Sequence, residues 1–164
     1  AHFDDQKNID LFVKNNVHDE VEIKARKVIT LEEYAKTINI EALTMLEMAK
    51  QDILPAVSSY VKELTDTALA KKALSDAIPT SVEEDLVTTL SNDLVSFVEK
   101  IDTLSEDVVK GNDIEDAQEK ANYYHDVVFA AMNELRAVSD EMETITSADY
   151  WPYPTYDELL FGVW

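Results

Sequence analysis

The feature that most constrains the fold is an apolar repeat in the last third of the sequence. Between residues 114 and 145, ten mostly apolar side chains recur at alternating steps of three and four: Ile114, Ala117, Ala121, Tyr124, Val128, Ala131, Leu135, Val138, Met142 and Ile145. This spacing places all ten on one face of an α-helix. Because one helix cannot bury that face alone, the repeat predicts packing against other helices.

Two earlier segments carry similar repeats. One comprises Leu31, Ala35, Ile38, Ala42, Met45 and Ala49, and the other comprises Leu86, Leu90, Leu94, Phe97, Ile101, Leu104 and Val108. The sequence has only two glycines, and alternating β-branched residues are scarce. The pattern therefore predicts an all-α fold, an elongated up-down helical bundle with left-handed, coiled-coil-like packing.

Capping and turn residues divide this bundle into elements of one domain, residues 1–164. We predict a lead-in over 1–18 with a short helix at about 4–14 that has Ile9, Phe12 and Val13 on one side. A kinked long helix follows over 19–75, then an antiparallel hairpin over 81–110 and 113–147, and a tail over 148–164. The predicted helix starts are Asp19-x-x-Glu22, Ser81-x-x-Glu84 and Asn112, and Gly111 is a predicted left-handed C-cap. Pro55 predicts a kink or short break around residues 51–55.

Charge and composition exclude several classes of function. The formal net charge is −20, and residues 76–119 alone hold 13 acidic residues against two lysines, a net of −11. Such a surface repels nucleic acid and anionic membranes. The acidic middle is either a solvated helix face or a surface for protein docking or cation attraction. The chain has no cysteine, no apolar run long enough for a membrane span and no signal peptide, so we expect a cytoplasmic protein. Because residue 1 is alanine, we also expect a piece of a longer chain.

No pattern in the sequence predicts a catalytic, cofactor-binding or metal-binding residue. A di-iron bundle needs Glu-x-x-His, but Asn15 precedes His18 and Asn122 precedes His125 by three positions. His125 and Asp126 are adjacent, and helical neighbours are expected to point apart. Neither a metalloprotease motif nor a glycine-rich phosphate loop is present.

The C-terminal stretch YWPYPTYDELLFGVW, residues 150–164, contains six of the fourteen aromatic residues. Pro152 and Pro154 predict an extended segment, and Thr155-x-x-Glu158 predicts a capping box for a short terminal helical turn. The predicted packing or interface anchors are Trp151, Tyr153, Tyr156 and Phe161. They either fold back onto the bundle or dock on an absent domain or subunit.

Two stretches resemble a known family: YAKTINIEALTMLEMAKQDILPAVSSYVKELTDTA at residues 34–68 and YWPYPTYDELLFGV at residues 150–163. Together they resemble the C-terminal region of type III glutamine synthetases, and residues 8–34 fit the same family. The resemblance implies a parent enzyme that joins ammonia to glutamate with ATP and Mg or Mn, and that forms ring-shaped homo-oligomers. It also implies that the catalytic residues lie upstream, because none of the family's metal, substrate or nucleotide residues matches a position here.

Two hypotheses follow from the sequence. The chain is a C-terminal helical domain of a glutamine synthetase with a structural or assembly role, and it is inactive alone. Alternatively, it is a free-standing acidic helical interaction module without enzymatic activity. The first hypothesis requires a reading frame that extends several hundred residues upstream into a catalytic domain.

Overall fold

The computed structural model describes residues 3–154 and 156–162, without the side chains of Tyr156 and Asp157. The described part is helical and contains no β-strand. Its elements are α1 (Gln6–Lys14), α2 (Glu20–Met48), π1 (Ala49–Ile53), α3 (Leu54–Leu74), α4 (Ser81–Asn112), α5 (Ala117–Tyr123), π2 (Tyr124–Val128), α6 (Phe129–Ile145) and α7 (Tyr156–Phe161). The predicted all-α helical bundle is confirmed.

The three apolar repeats form the buried faces of the long helices. The members that are buried outright are Ala35, Ile38, Ala42, Ala49, Leu90, Phe97, Ile101, Leu104, Val108, Ala121, Tyr124, Val128, Ala131, Leu135 and Met142. The remaining members of the repeats are half-buried. In α1, Ile9 is buried, Phe12 is half-buried and Val13 is exposed. Helical periodicity therefore identified the core of the long elements correctly.

The contacts between residues divide the chain into two compact units. The first contains residues 1–43 and 106–130, and its core includes Ile23, Val108 and Tyr124. The second contains residues 44–105 and 131–164, and its core includes Val57 and Phe97. The division is invisible in the sequence pattern, because each apolar repeat runs without interruption through the position where the units separate.

The helix does not break at Pro55. It widens into the π turn π1, in which the Leu54 N–H donates to the Ala49 carbonyl five residues back, and Pro55 then lies in the first turn of α3. A proline ring crowds the carbonyl four residues before it, which is that of Gln51. A π turn changes the local hydrogen-bond spacing from four residues to five, so the chain passes the proline and remains helical.

Gly111 does not cap a helix, and that prediction was wrong. It lies inside α4, which continues to Asn112, and no described glycine has a positive φ. The glycine is needed for packing instead, because a Cβ atom at Gly111 would lie 2.9 Å from Cε2 of Tyr124. The predicted cap at Asn112 was also wrong: Asp116 caps α5, and its Oδ1 accepts from the backbone N–H groups of Gln118 and Glu119 at 2.9 Å.

The other helix ends agree with the sequence to within a few residues. Asp19 caps α2 as predicted, since its Oδ1 accepts from the Glu22 N–H at 2.7 Å. The predicted cap Ser81 is the first helical residue, so Thr80 holds the cap position and its carbonyl accepts from the Glu84 N–H at 3.0 Å. The last long helix runs over 117–145 instead of 113–147, and the unpredicted turn π2 lies within it.

Within the described part of the chain, no helix combines the length and the apolar character that crossing a membrane requires.

Candidate docking site at the C-terminal tail

The tail follows α6 through a turn organised by Ser147. After α6 ends, the Ser147 carbonyl accepts from the N–H groups of Tyr150 (2.9 Å) and Trp151 (3.0 Å). No helix follows until α7, because Pro152 and Pro154 lack an N–H and bias their preceding residues away from helix. Residues 151–154 are therefore non-helical, with bends at Pro152 and Tyr153, and a short terminal helix follows as α7.

Two tyrosines of the tail contact the helical elements α3 and π1. The ring of Tyr150 lies 5.3 Å from that of Tyr60 on α3, measured between centroids and tilted by 45°. The hydroxyl of Tyr153 donates to Oδ2 of Asp52 in π1 at 2.6 Å. A tilted pair of this kind adds roughly 0.5–1.5 kcal/mol beyond the area it buries. The tail is thus attached at two points, one aromatic and one charge-assisted.

The contact with Asp52 changes the acidity of Tyr153. Partial burial raises the pKa of the Tyr153 phenol to about 12, and the hydrogen bond to Asp52 and the carboxylate's negative charge act in the same direction. The phenol therefore stays protonated throughout the neutral range and keeps its hydrogen available for Asp52. Loss of that proton would place two negative charges side by side.

The last described helix presents an uncovered apolar surface. In α7, the exposed fractions of Leu159, Leu160 and Phe161 are 60%, 70% and 77%. We call these three residues the α7 patch. Large apolar side chains gathered on one short turn are typical of surfaces that another protein covers.

The predicted anchors fall into two groups. Trp151 and Tyr153 are half-buried in the segment that lies against the helices, whereas Phe161 is exposed on α7. The side chain of Tyr156 lies outside the described residues, as does Thr155 of the predicted capping box. The two alternatives considered for the tail thus apply to different parts of it, since one part contacts the bundle and the other faces outward.

Sequence reasoning missed the groups that receive the tail. Nothing near Asp52 or Tyr60 in the sequence links these two residues to a segment about a hundred positions later. Tyr150 was visible as one member of an aromatic cluster. Its pairing with Tyr60 depends on how the tail turns at Ser147, which periodicity does not report.

The histidine sites also differ from expectation in one detail. Nδ1 of His125 lies 2.7 Å from Oδ1 of Asp126, although the two side chains were predicted to point apart. Both residues lie in π2, where the altered turn changes the relative directions of neighbouring side chains, and both are exposed. Among the described residues, no group of three or more His, Cys, Asp or Glu side chains is placed to hold a metal ion.

Comparison with known proteins connects this fold with one family. The family model described as the glutamine synthetase C-terminal domain matches residues 1–72. A glutamine synthetase of Butyrivibrio fibrisolvens is 36% identical over 157 residues, which cover 96% of this chain and 22% of that protein.

Two further relatives are also similar over nearly the whole chain. A type-3 glutamine synthetase of Dictyostelium discoideum is 28% identical over 163 residues, covering 95% of this chain and 22% of its own length. A glutamine synthetase of Bacteroides fragilis (strain YCH46) is 23% identical over 164 residues, covering 98% of this chain and 22% of that protein. The chain thus spans about a fifth of the length of the curated relatives it matches.

Proposed function

We propose that this chain, which belongs to the glutamine synthetase family, is the C-terminal helical domain of a type III enzyme. The full-length protein would ligate ammonia to glutamate at the expense of ATP in the cytoplasm. The domain itself would serve docking and assembly. Similarity to named glutamine synthetases over nearly the whole chain supports ligase activity of the full-length protein. The helical fold supports a role of this domain in docking and assembly.

The observation that carries the docking role is the α7 patch. Its three apolar side chains are exposed on a segment that Tyr150 and Tyr153 attach to α3 and π1. A fixed attachment lowers the entropy that is lost when the patch is covered. Because the chain spans about a fifth of its relatives' length, we assign the covering surface to the catalytic part of the enzyme, in the same subunit or a neighbouring one.

The cofactors of the parent enzyme are assigned to the same catalytic part. ATP and Mg²⁺ or Mn²⁺ are what the family resemblance implies. The described residues of this chain do not fit them, since no three potential ligands lie together and neither glycine belongs to a phosphate-binding loop. No catalytic step is therefore attributed to residues of this chain.

The docking role can be tested in the full-length enzyme by replacing Phe161 with serine. The matched control is Val95→Ser, which also changes an exposed apolar residue, on α4 instead of α7. We expect Phe161→Ser to reduce the assembly size measured by light scattering or to reduce ligase activity, while Val95→Ser changes neither.

The same substitution in the 164-residue chain separates docking from folding. Because Phe161 is 77% exposed in this chain, we expect Phe161→Ser to leave the melting temperature of the chain unchanged. Full assembly and full activity of the Phe161→Ser enzyme would rule out the docking role. A smaller assembly would indicate that the α7 patch docks on a neighbouring subunit. Lower activity at unchanged assembly size would indicate that it docks on the catalytic part of its own subunit.

A further inference from the structure

The first unit contains a small cavity that the docking role does not use. Its volume is about 260 Å³, slightly below the roughly 300–1,000 Å³ of pockets for drug-sized molecules. Its lining includes the buried residues Ala35 and Tyr124 and the half-buried residues Asn39 and Ala117. A cavity of this size fits a small metabolite better than a nucleotide.

Hydrogen-bonding groups meet at one side of this cavity. The Tyr124 hydroxyl lies 2.9 Å from Oδ1 of Asn39 and 3.0 Å from Oδ1 of Asn112, and it shares its single proton between these acceptors. The ring is held in place because Gly111 lacks the Cβ atom that would meet it at 2.9 Å. Tyr124 also opens π2, and π turns inside α-helices occur frequently at functional sites.

Charged side chains of both signs line the same cavity. Two are the lysines Lys36 and Lys120, and two are the glutamates Glu32 and Glu115. Lys36 Nζ forms an exposed ion pair with Glu32 Oε2 at 3.7 Å, whereas Lys120 Nζ donates to the Asn112 carbonyl at 3.1 Å.

We propose that this cavity binds a small zwitterionic amino acid. The lysine ammonium groups suit an α-carboxylate, the glutamate carboxylates suit an α-ammonium group, and the amides beside Tyr124 suit a polar side chain. A phosphorylated ligand would face two carboxylates, and a metal cation would face two ammonium groups. Both are disfavoured by like charge.

Calorimetric titration of the 164-residue chain with L-glutamine tests this site. L-glutamine carries both α charges and a carboxamide that can donate and accept hydrogen bonds. N-acetyl-L-glutamine lacks the ammonium group, and L-glutaminamide lacks the carboxylate. We expect saturable binding of L-glutamine and at least tenfold weaker binding of both analogues, since each loses a charge-assisted contact.

Substitutions locate the binding site. We expect Lys120→Gln and Glu115→Gln each to weaken L-glutamine binding about tenfold or more, and Tyr124→Phe to weaken it several-fold by removing the hydroxyl. The control substitutions Glu119→Gln and Lys24→Gln change exposed charges that do not line the cavity, so affinity should persist. Circular dichroism melting of each variant verifies that it is folded.

Three results would overturn the proposal. One is absence of saturable binding at millimolar L-glutamine, and another is an affinity for either analogue equal to that for L-glutamine. The third is binding that survives both Lys120→Gln and Glu115→Gln in folded protein. These results concern the first unit only, so they leave the docking role of the tail untouched.

Discussion

Replacing Gly111 with alanine distinguishes two explanations for a glycine at this position, because they predict opposite changes in stability. If Gly111 were merely an unfavourable residue within α4, alanine would stabilise the helix by about 0.5–1 kcal/mol. The structure places a Cβ atom at this position 2.9 Å from Cε2 and 3.1 Å from Cζ of Tyr124. Tyr124 is only 1% exposed, and its hydroxyl is held by Asn39 and Asn112, so the ring cannot move away freely.

The expected sign follows from comparing these effects. Overpacking a well-packed core costs about 1–3 kcal/mol. After subtracting the helix-propensity gain, we expect Gly111→Ala to lower the free energy of unfolding by about 0–2.5 kcal/mol. For a chain of this size, each kcal/mol corresponds to roughly 2–4 °C in the melting temperature. Urea unfolding followed by circular dichroism measures the free energy directly.

A double-mutant cycle with Tyr124→Leu shows whether the ring is the cause. Leucine lacks the outer ring atoms, so in that background Gly111→Ala should become neutral or stabilising, with a coupling energy of about 1–3 kcal/mol. The neighbouring control Val109→Ala alters a side chain that is 60% exposed and should change stability by less than about 0.5 kcal/mol. A stabilising effect of Gly111→Ala in the otherwise unchanged chain would refute the packing explanation.

Three further predictions concern the tail, an ion pair and activity. Tyr153→Phe removes the hydrogen bond to Asp52 and should lower the free energy of unfolding by about 1 kcal/mol at pH 8. Because the pKa of Tyr153 is raised from 10.0 to about 12, its contribution is complete below pH 10 and is lost as pH rises through 12. Urea unfolding at pH 8 and pH 11 should therefore show a smaller difference between Tyr153→Phe and the unchanged chain at the higher pH, and an equal difference at both would contradict this. The ion pair with Lys71 lowers the pKa of Glu83 from 4.5, so the pair stabilises above that pH and its contribution is lost as pH falls. Glu83→Gln should therefore reduce the fall in melting temperature between neutral and acidic pH. An unchanged fall would contradict a stabilising ion pair between Glu83 and Lys71. The 164-residue chain should form no glutamine from glutamate, ammonia and ATP with Mg or Mn, and measurable γ-glutamyl transfer would show that catalytic groups lie within it.

Local pattern explains why the helical fold could be predicted. Apolar steps of three and four residues depend on the geometry of one helix, and side chains at those positions share a face wherever the helix packs. This is why the repeat around Leu135 and the one around Phe97 both proved to be buried. The Asp19 cap was predictable for the same reason, because its carboxylate reaches an N–H group only three residues away.

The candidate sites were less predictable, because they join residues far apart in the chain. The aromatic tail stood out by composition, and Trp151, Tyr153 and Phe161 could be named from it. Their surroundings could not be, since Tyr153 meets Asp52 across about a hundred residues. The cavity beside Tyr124 had no sequence signal at all, because Asn39 and Asn112 lie on different helices.

The sequence by itself determined that this chain is helical, which faces of the long helices are buried and where the aromatic segment lies. Tertiary packing decided the role of Gly111, which serves ring packing and not chain reversal, and it placed the partners of Tyr124 and Tyr153. Only the three-dimensional structure also revealed π1 and π2, each of which adjusts the hydrogen-bond register by one residue without disturbing the apolar repeat. Periodicity indicates which face of a helix is buried, whereas these features depend on atoms of other segments that pack against the helix.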